Sequence, residues 1–359
     1  MLHLRCLLAC SLFAIALSPG SRPGFAEDKK DDGFKPLFNG KDLTGWAFVN
    51  THPDTFFVKD NEIITTGNPM GFLRTDKHYE SFVLEMDWMH IEKTKTANSG
   101  LFVWGDPLPA VGTVYTRGIE VQVLINYPKV DWATNHGDLF SIWGAKCVPD
   151  RPHPKGYERC LPSEERVKGG GEWNHYKVTA NDGSIKLEVN GKEVSGVSKC
   201  NPRKGYLALE SEGAECHFKN LKIKELPSTN PKPEEIAKVS EGHVSLFNAL
   251  DLKGWKTEND SWKVTGGRLI ATGKDDLVTE KKFGAGELIF DWKLPAKSVG
   301  KMMLDVGGTT VEVRLDKPGA WQRTVVPLES KAGGLAITFK PTTGLEIMNV
   351  FYRELKEGK

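Results

Sequence analysis

The sequence predicts an all-β chain built as two tandem β-sandwiches. Three observations predict it: short segments alternating apolar and polar residues between Gly, Pro and Asn-Asp turn signals, an internal repeat, and no sustained helical periodicity. The 37 Gly, 20 Pro and 10 Trp among 359 residues suit turn-rich β architecture better than helix bundles. A formal net charge of +1 gives no bulk electrostatic argument for nucleic acid or an acidic membrane surface as partner.

The N-terminus reads as an export signal over residues 1–26. "MLHLR" supplies a basic start, "CLLACSLFAIAL" an apolar run, and Phe25-Ala26 before Glu27 a cleavage point. The run is too short to span a bilayer, and no later stretch is long enough. "LLAC" superficially resembles a lipobox, with too short a run before Cys10. Four cysteines follow the signal: Cys147, Cys160, Cys200 and Cys216. An even number in an exported chain predicts up to two disulfides in one of three connectivities, of which the neighbour pairing Cys147–Cys160 and Cys200–Cys216 is the expected one. Without a C-x-x-C, zinc is the lesser alternative.

"FKPLFNGKDLTGW" at 34–46 returns as "HVSLFNALDLKGW" at 243–255. In the same order, "LEMDW" (84–88) matches "LIFDW" (288–292), "GIEVQV" (118–123) matches "TVEVRL" (310–315), and "FKNLKIKEL" (218–226) matches "IMNVFYREL" (347–355). Ordered matches define two copies of one domain, 34–226 and 243–355. The Pro-rich, charged segment 227–242 reads as their linker. Within each copy, "SFVLEMDW", "GIEVQVL", "HYKVTAN", "IKLEVNG" and "GYLALES" alternate as strands, and "NDGS" and "NGK" read as hairpin turns. The copies differ most in the middle. Residues 124–172 of the first, which hold "HGDLFSIWGAK", correspond to residues 316–320 of the second, so only the first carries a long excursion of the kind that is usually functional.

"LFNGKDLTGW", "NSGLFV", "GIEVQVL", "HGDLF", "GEWNHYKV" and "YLALESEGAECHFKNLKIKEL" together resemble the 3-keto-disaccharide hydrolase domain family, with the second copy degenerate. The resemblance implies a concanavalin A-like jelly roll in each copy, export, and action on glycosides oxidised to a ketone at sugar carbon 3. A 3-keto group acidifies the C2 hydrogen. Its removal, β-elimination of the C1 substituent and addition of water amount to net hydrolysis. Such a site needs a base near C2, a proton donor at the leaving oxygen, and a cation or hydrogen bonds for the enolate.

Strand parity then selects candidates. Ile119, Val121 and Val123 share the expected core face of their strand, and Glu120 and Gln122 the opposite, ligand-facing one. Likewise Glu210 and Glu212 oppose Leu207 and Leu209; two carboxylates at i and i+2 raise one pKa, hold a cation or bind sugar hydroxyls. The excursion offers His136 as the proton-transfer imidazole, Asp138 to orient it or bind a cation, and Lys146 for the enolate. The bland alternative is a turn held by Asp138 with His136 exposed and Trp143 packed as a lid. Asn98 brings a small polar group at a strand start, and Glu85 belongs to the ligand face if its strand alternates as written. Asp87, retained as Asp291, reads as structural, and His153 and His175 as scaffold or surface. Glu120, His136 and Glu210 are thus the expected catalytic residues, with Asn98, Gln122, Asp138, Trp143, Lys146 and Glu212 binding substrate. No cofactor is expected, although a divalent cation is compatible with the acids. Neither a metalloprotease helix motif, a phosphate loop, a nucleophile elbow nor a dinucleotide fingerprint is present. The rival readings are a carbohydrate-binding module without catalysis and an adhesion or scaffolding tandem.

Overall fold

The computed structural model describes residues 32–298, 301–306, 309–314, 317–329 and 332–355. The expected export signal lies outside them. Among the described residues every extended ladder is antiparallel, the one helical element is the 3-10 turn Pro233–Glu235, and no helix is long and apolar enough to cross a membrane.

The first sandwich pairs a back sheet with a front sheet. In the back sheet the order is Lys146–Pro149, Lys192–Asn201, Ser184–Val189, Asn174–Asn181, Phe82–His90, Cys216–Glu225, Glu62–Thr65 and Phe56–Lys59. The front sheet runs Arg159–Cys160, Leu139–Ile142, Gly118–Ile125, Ala97–Gly105, Tyr206–Ser211, Gly71–Thr75 and Trp46–Val49. Sequence neighbours are often not sheet neighbours, as a jelly roll requires. In Phe82–His90 buried and half-buried residues alternate strictly, because only one face of that strand meets the core. Gly118–Ile125 is buried along its whole length, so its second face is covered too. The second sandwich repeats the design with smaller sheets around a core of its own, including Phe247, Trp255, Trp262, Phe290, Trp292 and Phe339.

The expected disulfides are not formed: Cys147, Cys160, Cys200 and Cys216 are buried free thiols. Cys200 and Cys216 stand on back-sheet strands separated by three others, four strand spacings of roughly 4.8 Å apart. Cys147 sits on the back sheet and Cys160 on the front, and their thiols turn to different carbonyls, those of Glu158 and Leu161. Burial pushes the Cys147 thiol up to about 11, so it behaves as a small apolar core residue.

The segment between the sandwiches is fastened to the first. Ala237 N–H donates to Lys204 O, Arg203 pairs with Glu235 at 3.0 Å, and Ser240 N–H donates to the Tyr206 hydroxyl at 2.8 Å. The second sandwich then covers part of the first one's front sheet. Ile289 and Phe351 pack with Val49, Phe72, Phe102 and Ala208. Their counterparts in the first copy are Glu85 and Lys222, an ion pair at 2.8 Å on an open back sheet. Exchanging that pair for Ile and Phe turns a solvated face into an interface, worth about 1.5–3 kcal/mol per buried side chain. Asp291 and Asn349 hold the loop that arrives there: Gly112 N–H donates to Asp291 at 3.0 Å, and Asn349 to the Thr113 carbonyl at 2.9 Å. Gly112 has φ +72°, and a Cβ there would stand 2.4 Å from the Trp321 ring, so glycine is required twice over.

Candidate functional site

The uncovered part of the front sheet is a pocket of about 530 Å³. Ile119, Val121, Val123 and Ile125 face the core, which turns Glu120, Gln122 and Leu124 into the pocket. The same parity on Tyr206–Ser211 buries Leu207 and Leu209 inward and sends Glu210 to the outer face, with Glu212 just beyond.

Gly100 is what lets the acids meet. It lies opposite Gln122 in the neighbouring strand, and a Cβ on it would come within 2.8 Å of a Glu210 oxygen and 3.0 Å of a Glu120 oxygen. The two carboxyl groups close over the bare backbone. Glu120 is 6% exposed and Glu210 1%. Burial, then the charge of Glu212, raises the Glu120 pKa well above the usual carboxylate range, with Arg159 opposing. Burial, then Glu120 and Glu212, does the same to Glu210, neither of whose oxygens has a hydrogen-bond donor. Burial raises the Glu212 pKa as well, opposed by hydrogen bonds from Tyr115 and from Glu210, which can donate when held protonated. Glu212 also accepts from the Tyr115 hydroxyl at 2.8 Å and from Asn98. Burial, then Glu212, keeps the Tyr115 phenol neutral far into alkaline solution.

A cation faces these acids. Arg159 donates through Nε to Asp138 at 2.7 Å and through Nη2 to the Gln122 Oε1 at 3.1 Å, while Gln122 Nε2 donates to Asn98 at 2.7 Å. Asp138 is 0% exposed and also accepts from Thr134. The guanidinium lies over the Phe140 ring, 3.9 Å from its centroid, with Trp132 at 5.3 Å. This chain of bonds leaves Arg159 further N–H groups for a ligand oxygen. Trp143 stacks on Tyr115 at 6.1 Å and 11°, and Tyr127 and Trp132 complete the walls.

The structure thus brings Glu120, Glu210, Glu212, Asn98, Gln122 and Trp143 together, and Asp138 reaches the site through Arg159. His136 is elsewhere. Its Nε2 lies 3.5 Å from Glu165 and it does not line the pocket, because Gly137 packs the chain on Leu187 and Val189 of the back sheet. Burial lowers its pKa. Lys146 is paired with Glu158 at 3.2 Å on a back-sheet edge strand, outside the pocket. Glu85 is on the outer face of the back sheet, not the ligand face. Accordingly His136→Ala should change turnover by roughly twofold or less, against the 10²–10⁴ of a positioned acid or base; a hundredfold fall in kcat would return it to the chemistry. Sequence reasoning missed Arg159 and Tyr115. The signal for Arg159 was its place beside Cys160 in the excursion that the second copy lacks, and for Tyr115 a phenol three residues before the strand bearing Glu120.

Glu210 also makes a stability prediction. Its raised pKa means that the folded chain holds this proton more tightly than the unfolded one. The associated stability is present below the usual carboxylate pKa and is lost as pH rises through the folded value. Glu210→Gln removes that loss. Above neutral pH the variant should be more stable by about 1–3 kcal/mol, read as a higher Tm; equal Tm at pH 5 and pH 9 in both proteins would contradict it.

Among the described residues, the one group of three metal-type side chains with ligand atoms within 4.8 Å of one another is Glu241, His243 and Glu287, away from the pocket. Arg353 already pairs with both glutamates there.

Fold and pocket define a jelly-roll β-sandwich protein with acids, a clamped arginine and aromatic walls in one cleft. A profile described as 3-keto-α-glucoside-1,2-lyase-like domain matches residues 33–224 and 242–331, and the chain belongs to that family. No curated protein matches the chain. Among solved structures, a "putative glycosyl hydrolase" from Parabacteroides distasonis is 25% identical over 56% of this chain and 98% of its own, with a TM-score of 0.43. The carbohydrate-binding module CBM66 from Bacillus subtilis is 14% identical over 50% and 96%, TM-score 0.34. The VIP36 exoplasmic/lumenal domain in its Ca2+/Man3GlcNAc-bound form is 10% identical over 56% and 92%, TM-score 0.38.

Proposed function

We propose that the first sandwich is an exported enzyme that cleaves 3-keto-glycosides by elimination. The observation that carries this reading is the convergence of Glu120, Tyr115 and Arg159 in one pocket: a base of raised pKa, a neutral proton donor and a fixed cation. Glu120, ionised, takes the C2 proton, and the C2–H electrons pass into the ketone to give an enolate at the C3 oxygen. Arg159 stabilises that oxyanion. Collapse of the enolate forms the C1–C2 double bond and breaks the C1–O bond, and the leaving oxygen receives the Tyr115 proton. Glu212, hydrogen-bonded to Tyr115, stabilises the donor and reprotonates it from solvent. Water added across the double bond completes a net hydrolysis. The family's lyase description supports the elimination step.

The alternative is sugar binding without turnover, favoured by the Tyr115–Trp143 stack and by the exposure of Trp132 and Trp143. Incubation with a 3-keto-glucoside and with its unoxidised parent separates the two. Release of the aglycone from the ketone alone is expected. Equal cleavage of both would indicate an ordinary two-carboxylate glycosidase, and binding of both without cleavage the lectin reading.

A further inference from the structure

A second cleft, of about 670 Å³, opens on the far side of Trp143, where the first sandwich, the connecting segment and the second sandwich meet. Trp143 belongs to both cavities. Leu108, Val111, Val239, Ile289 and Val325 form its other apolar surface, and four of these walls stand out into solvent: Val111, Trp143, Val239 and Val325 are 45, 52, 67 and 50% exposed. Most of the charged groups at its edge are already matched. Arg117 binds Asp106 at 2.9 Å, Arg323 binds Asp291 at 2.7 Å, and His243 lies 3.2 Å from Glu287. Such a cleft offers contact area and few free hydrogen-bonding groups, which suits an apolar ligand and not a sugar with a hydroxyl on nearly every carbon.

The chemistry says which ligand. The leaving oxygen must sit at Tyr115, and Tyr115 stacks on Trp143, so whatever is attached to that oxygen is directed over Trp143. We infer that the junction cleft is the aglycone site, and that the substrates are 3-keto-glycosides of bulky apolar alcohols, with Val325 and Ile289 of the second sandwich contributing to their selection. This rests on the elimination reading of the first pocket. It gives the second sandwich a task that needs no catalytic groups of its own. Its Ile289 covers the first sandwich's front sheet and also lines the cleft.

Three 3-keto-glucosides test it: ethyl, 2-cyclohexylethyl and glucosyl. The first two leave as alcohols of similar acidity, so any difference between them reports binding. The cyclohexylethyl substrate should show kcat/KM at least about tenfold above the ethyl one, the usual range for an apolar group filling its pocket. Val325→Asp and Val111→Ser, both at exposed positions, should erase that advantage while leaving the ethyl substrate unchanged. Equal kcat/KM for ethyl and cyclohexylethyl, a preference for the glucosyl compound, or an advantage that survives both substitutions would each overturn the inference and leave the elimination reading intact. Cleavage of none of the three would overturn the elimination reading, and the aglycone site with it.

Discussion

Glu120→Gln should lower turnover of a 3-keto-glycoside by about 10²–10⁴, the contribution of a positioned general base. Glutamine keeps the shape and can still hydrogen-bond, but it cannot accept the C2 proton at neutral pH. Binding of the unoxidised parent glycoside should change much less, because the base acts in the transition state. Glu120 faces the pocket, is buried, and has its pKa raised by burial and by Glu212, so it ionises above the usual carboxylate range. The acid limb of kcat/KM should therefore lie above the usual carboxylate range, since activity requires the ionised form and rises as pH passes the raised pKa. A limb near the ordinary carboxylate value, or equal losses of binding and kcat, would assign Glu120 to positioning.

Arg159→Met should cost about 10²–10³ in kcat, the effect of removing one preorganised donor from a developing oxyanion. The same change strips Asp138 of its partner at full burial, and an uncompensated buried charge costs about 3–5 kcal/mol of stability. Arg159→Lys separates the two effects. Lysine keeps a positive charge beside Asp138 but not the fork that also bonds Gln122. It should fold, and its kcat should remain at least about tenfold down, with KM for the ketone less affected. Full activity in the Lys variant would remove Arg159 from the chemistry and leave it as scaffold.

How far the site was legible in the sequence depended on the kind of evidence each residue offers. Glu120, Gln122, Glu210 and Glu212 lie on strands whose opposite faces are apolar, and a period of two places such side chains without further information. The structure places all four away from the core on the outer side of the front sheet, with Glu120, Gln122 and Glu212 lining the pocket. Glu85 followed the same rule and came out on solvent, because parity assigns a residue to a face of its strand and cannot say which sheet the strand joins. His136 had no parity to lean on. It lies in an irregular segment, and there one glycine, packed on Leu187 and Val189, decides which way the neighbouring ring points. Arg159 lies on a two-residue strand, too short for any pattern.

The domain contact shows the same limit from the other side. Comparing the repeats, Glu85 and Lys222 become Ile289 and Phe351, while Asp87 and Asn220 persist as Asp291 and Asn349. Loss of an ion pair to two apolar residues on an outer face is a readable sign that something covers it. What covers it is not readable, since no local pattern names a partner surface 200 residues away in sequence. By itself, then, the sequence determined the strands, the repeat, the core faces and the acids that face away from the core, because each follows from side-chain alternation along a few consecutive residues. Tertiary structure alone decided that Gly100 brings Glu120 and Glu210 together, that Asp138 serves Arg159, that the cysteines stay apart, and that the second sandwich closes the first one's front sheet beside the pocket. Those are contacts between residues distant in the chain, set by sheet order and packing, and sheet order is a property of the whole chain's lowest free energy and not of any segment within it.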